Sequence, residues 1–280
     1  MNHQPIVVGV DGSSWSEAAL EWAMVEARRR TAPVVVLHAF EWPMMGVPLS
    51  GVPSGYDPRQ AARVMLLGAT ERARTRAPGV EVTSRLENGP PARLLLAESR
   101  RAGLLVLGSR GLGGFAGLLA GSVATTVAEH ASCPVVVVRG DGAYRTDGPV
   151  LAGVDGPAAD AAIGWAFDAA ALYSVPLLAV HAWPPGPARV PDLSDPDEEE
   201  AAIRTYEQIG RWQQKYPRVR LDQLDVRGHP GAVLAEQSVG AQLAVVGARG
   251  RGGFARLLLG STSQALLRHA HCPVVVVRES

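Results

Sequence analysis

Short runs of nearly uninterrupted aliphatic residues recur along the chain, and each leads into a stretch whose apolar positions repeat with helical period. The first run, residues 6–10 (I-V-V-G-V), reads as a strand buried on both faces, as in a parallel sheet. Ser13, Ser14 and Ser16 then offer caps for a helix reaching about Arg30, with Ala18, Ala19, Trp22 and Ala23 on one face. Pro33 restarts the chain into a strand over 34–38. The pattern goes on to predict a helix over 59–76, a strand over 80–86, and a helix over 91–101 with Pro91 in its first turn. A strand over 104–107, a helix over 122–131 and a strand over 134–138 complete the half. Strand, helix and strand in close succession imply parallel βαβ units.

The same order returns from Val150. Val10-Asp11-Gly12 is answered by Val154-Asp155-Gly156, Leu37-His38-Ala39 by Val180-His181-Ala182, and Cys133-Pro134 by Cys272-Pro273. A period near 140 residues is too long for a solenoid, so the chain is a tandem pair of domains. The expected fold is α/β: two tandem doubly wound, Rossmann-like domains, each a five-stranded parallel sheet with helices on both faces. They span residues 1–140 and 149–280, and the polar, glycine-rich stretch 139–148 marks the boundary.

The duplicated stretch with most chemical content is G-S-R-G-L-G-G-F-A-G-L-L-A-G-S at 108–122, which returns as G-A-R-G-R-G-G-F-A-R-L-L-L-G-S at 247–261. Each copy follows an aliphatic run and precedes a helical stretch. A glycine-rich loop between a buried strand and a helix presents backbone N–H groups, free of Cβ obstruction, at a helix N-terminus, which suits phosphate.

The G-x-x-G, nine residues, G-[ST] pattern resembles the ATP-binding signature of the universal stress protein family. So do the first strand ending in Val-Asp-Gly, the Leu-His-Ala strand end, and the closing C-P-V-V-V-V-R strand, once in each half. The resemblance implies ATP as ligand, with Mg as a possible companion. It implies that Gly9 belongs to the binding site, that Asp11 lies beside ribose and phosphates, that backbone near Ala39 meets adenine, and that Gly108, Gly111, Gly121, Ser122, Val123 and Ala124 hold the phosphates. The matching positions of the second half are Gly153, Asp155, Ala182, Gly247, Gly250, Gly260, Ser261, Thr262 and Ser263. Arg110 or Arg249, or a metal ion, would meet the remaining phosphate charge. By the same resemblance the last strands, 135–138 and 274–277, pair the two halves into a pseudo-dimer within one chain; a further homodimer is open.

Other readings of these residues stand beside that one. Ser122 and Ser261 could be helix N-caps and nothing more, and Ser261 with Gln264 spells a capping box. Gly111-x-Gly113-x-x-Ala116 and its repeat spell a dinucleotide fingerprint, but they follow the fourth strand of each half and not the first βα turn. No G-x-x-x-x-G-K-[ST] is present. The aspartates could bind magnesium in a slow ATPase or nucleotidyltransferase, or the pockets could be vestigial in a module that recognises partners through the proline-rich segment 41–58. No residue reads as a general base beside an attacking water, so a regulatory, stress-response module that binds ATP is favoured over an enzyme.

Charge is balanced, 27 basic against 27 acidic residues, so no bulk attraction to nucleic acid or membrane is expected. The start of the chain lacks a basic-then-apolar leader and no long apolar span occurs, which points to the cytoplasm. The cysteines read as small buried residues, not as a disulfide, and no Cys/His cluster has zinc spacing. His130, His269 and His271 sit near helix ends, where cation–dipole stabilisation accounts for them. The acidic run 195–200 reads as a solvated helix start.

Overall fold

The computed structural model describes residues 4–42, 57–112, 121–140, 146–156, 159–183, 196–249 and 259–278, with side chains of the helix at 196–215 described from Ile203 onward. The first half runs β1 (Ile6–Gly9), α1 (Ser14–Arg30), β2 (Val34–Phe40), α2 (Pro58–Arg76), β3 (Val82–Asn88), α3 (Pro91–Glu98), β4 (Leu104–Gly108), α4 (Ser122–His130) and β5 (Val135–Val138). The second half follows as β6 (Val150–Gly153), α5 (Asp160–Tyr173), β7 (Leu177–Trp183), α6 (Pro196–Lys215), β8 (Leu221–Arg227), α7 (Pro230–Gln237), β9 (Leu243–Gly247), α8 (Ser261–His269) and β10 (Val274–Val277). Two boundaries differ from the sequence pattern. After α2 the chain turns through Gly79 at φ +92°, which delays β3 by two residues relative to the expected Val80. The backbone N–H groups of Arg101 and Ala102 both donate to Glu98 O, closing α3 three residues early. Most of the proline-rich segment 41–58 and of its counterpart 184–197 lies outside the described residues.

Each half carries its strands in the order 3-2-1-4-5, parallel throughout. Each half is a five-stranded parallel sheet, and the last strands pair the halves as expected: β5 and β10 run antiparallel, Val136 opposite Val275, so the halves share a single ten-stranded sheet. Four consecutive valines at an open edge would be an aggregation hazard, and each strand covers the other. The outer edges left over are β3 and β8, whose Arg85, Glu87, Asp222 and Arg227 make poor templates for further pairing.

Both faces of the sheet are covered, so its central strands alternate between two cores and remain apolar at every position. Val8, Val34 and Val106 face α1, α2, α5 and α6, where Met24, Phe167 and Ile209 are buried. Val7, Leu105 and Val135 face α3, α4, α7 and α8, with Leu95, Val127, Leu234 and Leu266. Cys133 and Cys272 belong to this second core as free thiols, both pushed up to about 12 by burial.

Polar contacts reinforce the pairing of the halves. Arg139, just after β5, donates to Leu267 O near the end of α8, and Arg278, just after β10, donates to Glu129 O near the end of α4. Each half therefore supplies a cation to the carboxyl end of the other half's last helix, where the dipole favours it. Between α1 and α5, the buried Glu26 carboxylate is held by Arg30 at 2.5 Å and by the Tyr173 hydroxyl at 2.6 Å, and Arg30 also reaches Asp168 at 3.1 Å. Burial, then the neighbouring Glu26, raises the Tyr173 hydroxyl well above its ordinary value.

Candidate functional site

The strand order reverses between β1 and β4, and in open α/β sheets the crevice outside the strand carboxyl ends at such a point is where ligands bind. In the first half that crevice is a cavity of about 570 Å³. All ten first-half residues expected from the sequence line it: Gly9 and Asp11 from β1, Ala39 from β2, Gly108, Arg110 and Gly111 from the turn after β4, and Gly121, Ser122, Val123 and Ala124 from the start of α4. These residues lie up to 115 positions apart in the chain, and strand register alone brings them together.

The start of α4 shows that Ser122 is not its N-cap. Gly121, at φ −73° and ψ 148°, is the N-cap, and Ser122 is the first helical residue; no cap side chain hydrogen-bonds the first-turn amides. The repeat is the same: Gly260 caps α8 with no side-chain bond. The alternative reading of Ser261 and Gln264 as a capping box does not hold. Gln264 Nε2 donates instead to Leu259 O at 3.2 Å. A glycine cap leaves the first amides of the helix with no internal acceptor, and such a terminus favours an anion.

Asp11 is half-buried, with both carboxylate oxygens engaged. Oδ1 accepts from Ser13 N at 3.0 Å and Ser13 Oγ at 2.6 Å, and Oδ2 accepts from Leu112 N at 2.8 Å. Ser13 in turn is the N-cap of α1, accepting from Ser16 N. Burial works against ionisation of Asp11, but the bonds from Ser13, Leu112 and Ser16 outweigh it and hold the carboxyl below its ordinary value. In this arrangement Asp11 is a fastener that ties the glycine turn to the end of β1.

At two of the glycines packing alone leaves no room for a side chain. A Cβ on Gly108 would lie 2.6 Å from the Trp15 carbonyl oxygen, and one on Gly111 would lie 2.5 Å from Asp11 Oδ2. Gly121 is different: its Cβ would stand 3.3 Å from Ser109 O. Arg110 places its guanidinium 5.4 Å over the Trp15 ring, at the rim of the cavity.

Sequence reasoning missed His38, Glu41, Pro91 and Leu95 as lining residues. His38 Nδ1 donates to Val10 O at 2.7 Å, which leaves Nε2 as the acceptor nitrogen of the neutral ring. The Leu-His-Ala repeat was its signal. Pro91 and Leu95 belong to α3, which closes the wall opposite α4, and no local pattern separates them from ordinary helix residues.

In the second half, Gly153, Gly247 and Gly260 occupy the same places at the ends of β6 and β9 and at the start of α8. Asp155 is half-buried, Ala182 is buried, Arg249 and Ser261 are exposed, and Thr262 is half-buried. Ser263 is buried and its hydroxyl donates to Gly247 O at 2.7 Å, so it serves an internal bond. Gly250 lies outside the described residues. Among the described residues no group of three or more His, Cys, Asp or Glu could hold a metal ion, and no helix is long and apolar enough to cross a membrane.

Comparison with known proteins agrees with this architecture. The model of the universal stress protein family matches residues 2–139 and again 148–278. A universal stress protein of Mycobacterium tuberculosis is 37% identical over 292 residues, covering 98% of this chain and 97% of that one. One from Mycolicibacterium smegmatis is 36% identical over 296 residues, covering 98% and 96%. Among solved structures, a universal stress protein from Archaeoglobus fulgidus superposes over 100% of both chains with a TM-score of 0.75 at 21% identity, a likeness of fold.

Proposed function

The chain belongs to the universal stress protein family, with two family domains in tandem, and from that premise we propose that it binds ATP and acts as a regulatory module in a stress response. The observation that carries the reading is the first-half cavity. A crevice of about 570 Å³ at the topological switch point falls within the usual range for small-ligand sites, and it ends on the uncapped amides of α4. Adenine would lie toward Ala39 at the end of β2, and the phosphates toward Gly121, Ser122, Val123 and Ala124. Arg110 at the rim would face the outer phosphates.

The residues present also weigh against efficient hydrolysis. His38 is the titratable ring in the cavity, but β2 is two strands from β4, roughly 10 Å from the phosphate end. Asp11, the carboxylate that an enzyme would offer to a metal, already accepts three hydrogen bonds from Ser13 and Leu112, which hold it to the loop. Binding without turnover is what a sensor requires.

Native mass spectrometry of gently purified protein, followed by calorimetric titration with ATP, tests the proposal. Intact ATP retained by the folded chain is the expected result. Protein that carries no nucleotide and gives no heat with ATP would overturn it, and rapid saturable release of ADP would replace the sensor by an enzyme.

A further inference from the structure

We infer that the two halves are not equivalent: the N-terminal half alone takes the nucleotide, and the C-terminal cleft is held shut by bonds of its own. The inference rests on the ATP reading and narrows it to one site. Five positions, compared across the repeat, point the same way.

At the first turn, Gly12 is exposed, whereas its counterpart Gly156 is buried and donates its N–H to Thr205 Oγ1 of α6 at 3.3 Å. At the base end, His38 and Ala39 are half-exposed and line the open cavity. Their counterparts His181 and Ala182 are 3% and 6% exposed. The His181 ring lies 3.5 Å from Asp225 and packs edge-on against Trp183 at 4.4 Å. In the first half Leu86 stands opposite His38 in the register, where β8 has Asp225 opposite His181.

At the phosphate end, Ala124 in the first turn of α4 has no hydroxyl, and the corresponding Ser263 bonds the Gly247 carbonyl, tying α8 to β9. On the facing wall, Ala92 of α3 is replaced by Gly231 of α7. A Cβ there would lie 2.5 Å from Ala265 Cβ and 3.7 Å from Thr262 Cα, so α7 approaches the very turn that would receive a phosphate. The missing methyl lets α7 sit close against α8. The first half also retains the Ser13 cap and its bond to Asp11, whereas α5 starts from Ala159 with no side-chain cap.

Calorimetry with ATP, on the wild type and on Gly121→Asp, reads the stoichiometry. One ATP per chain in the wild type and none in the folded variant is the expected pair of results. Two ATP per chain, or one remaining in Gly121→Asp, would overturn the inference while leaving the ATP reading intact. No binding by the wild type would overturn the ATP reading itself. Closure is then read without any ligand, by amide hydrogen exchange on the unmodified chain. The Gly156 N–H should exchange about a hundredfold more slowly than that of Gly12; equal rates would show the second cleft to be open.

Discussion

Gly121→Asp separates binding from folding, because the same carboxylate acts on them in opposite directions. The cap backbone is already at φ −73° and ψ 148°, a conformation open to any residue, and the nearest atoms to the new Cβ are Ser109 O at 3.3 Å and Arg110 Cα at 3.5 Å. Neighbours must give by a few tenths of an ångström. In exchange, Asp is a preferred N-cap, able to accept from the Val123 or Ala124 N–H, and its charge suits the helix dipole. Together these contribute up to about 1 kcal/mol to the free protein. For ATP the account reverses. The carboxylate occupies the amides meant for phosphate and places like charges about 4 Å apart, worth roughly 4 kcal/mol at an effective dielectric near 20, or about a thousandfold in affinity. Thermal unfolding with and without ATP is the assay. Saturating ligand at 100 times its Kd stabilises the wild type by about 2.7 kcal/mol, and the variant should show none of this. The free variant should melt no lower than the wild type. A folded variant that still gains the full stabilisation would refute the phosphate assignment of α4, and a variant that melts far lower would refute the reading of its cap.

The other glycines and the carboxylate give further tests. Gly108→Ala drives a methyl into the immobile Trp15 carbonyl at 2.6 Å and should cost about 1–3 kcal/mol of stability by urea denaturation, where Gly121→Ala costs much less. Asp11→Asn cannot accept from both Ser13 and Leu112, so it should lose about 1.5–3 kcal/mol near neutral pH. Since the folded value of Asp11 is depressed, its contribution is complete above the unfolded value of about 3.9 and fades as pH falls below it. The gap between wild type and variant should therefore shrink in acid, and a gap independent of pH would refute the fastener role. Tyr173→Phe removes a bond to the buried Glu26 carboxylate across the two halves and should cost about 1.5–3 kcal/mol; a neutral result in urea would show the α1–α5 contact to be passive.

Much of this molecule is local and therefore legible in its sequence. Aliphatic runs buried on two faces, Pro91 in a first turn, and the doubled glycine stretches each report a constraint satisfied within a few residues, and repetition at one spacing ties them into two domains. All ten expected first-half residues line one cavity because strand order fixes which loop ends meet. What the sequence left open depends on neighbours distant in the chain. Whether Ser122 or Gly121 caps α4 turns on one residue of backbone register, and serine is the commoner cap. That the Cβ space of Gly108 and Gly111 is taken by Trp15 and Asp11 is revealed only by the packing of α1 against β4 and of the Asp11 turn against the glycine loop. The difference between the clefts is the clearest case. His38 and His181 stand in the same motif, yet His181 is buried beside Asp225 of β8 and Trp183, whereas His38 stands opposite Leu86 and lines the cavity. A motif records which groups a site needs. Whether the space before them is free is decided by side chains the motif does not contain, because close-packed volume is a property of the assembled fold.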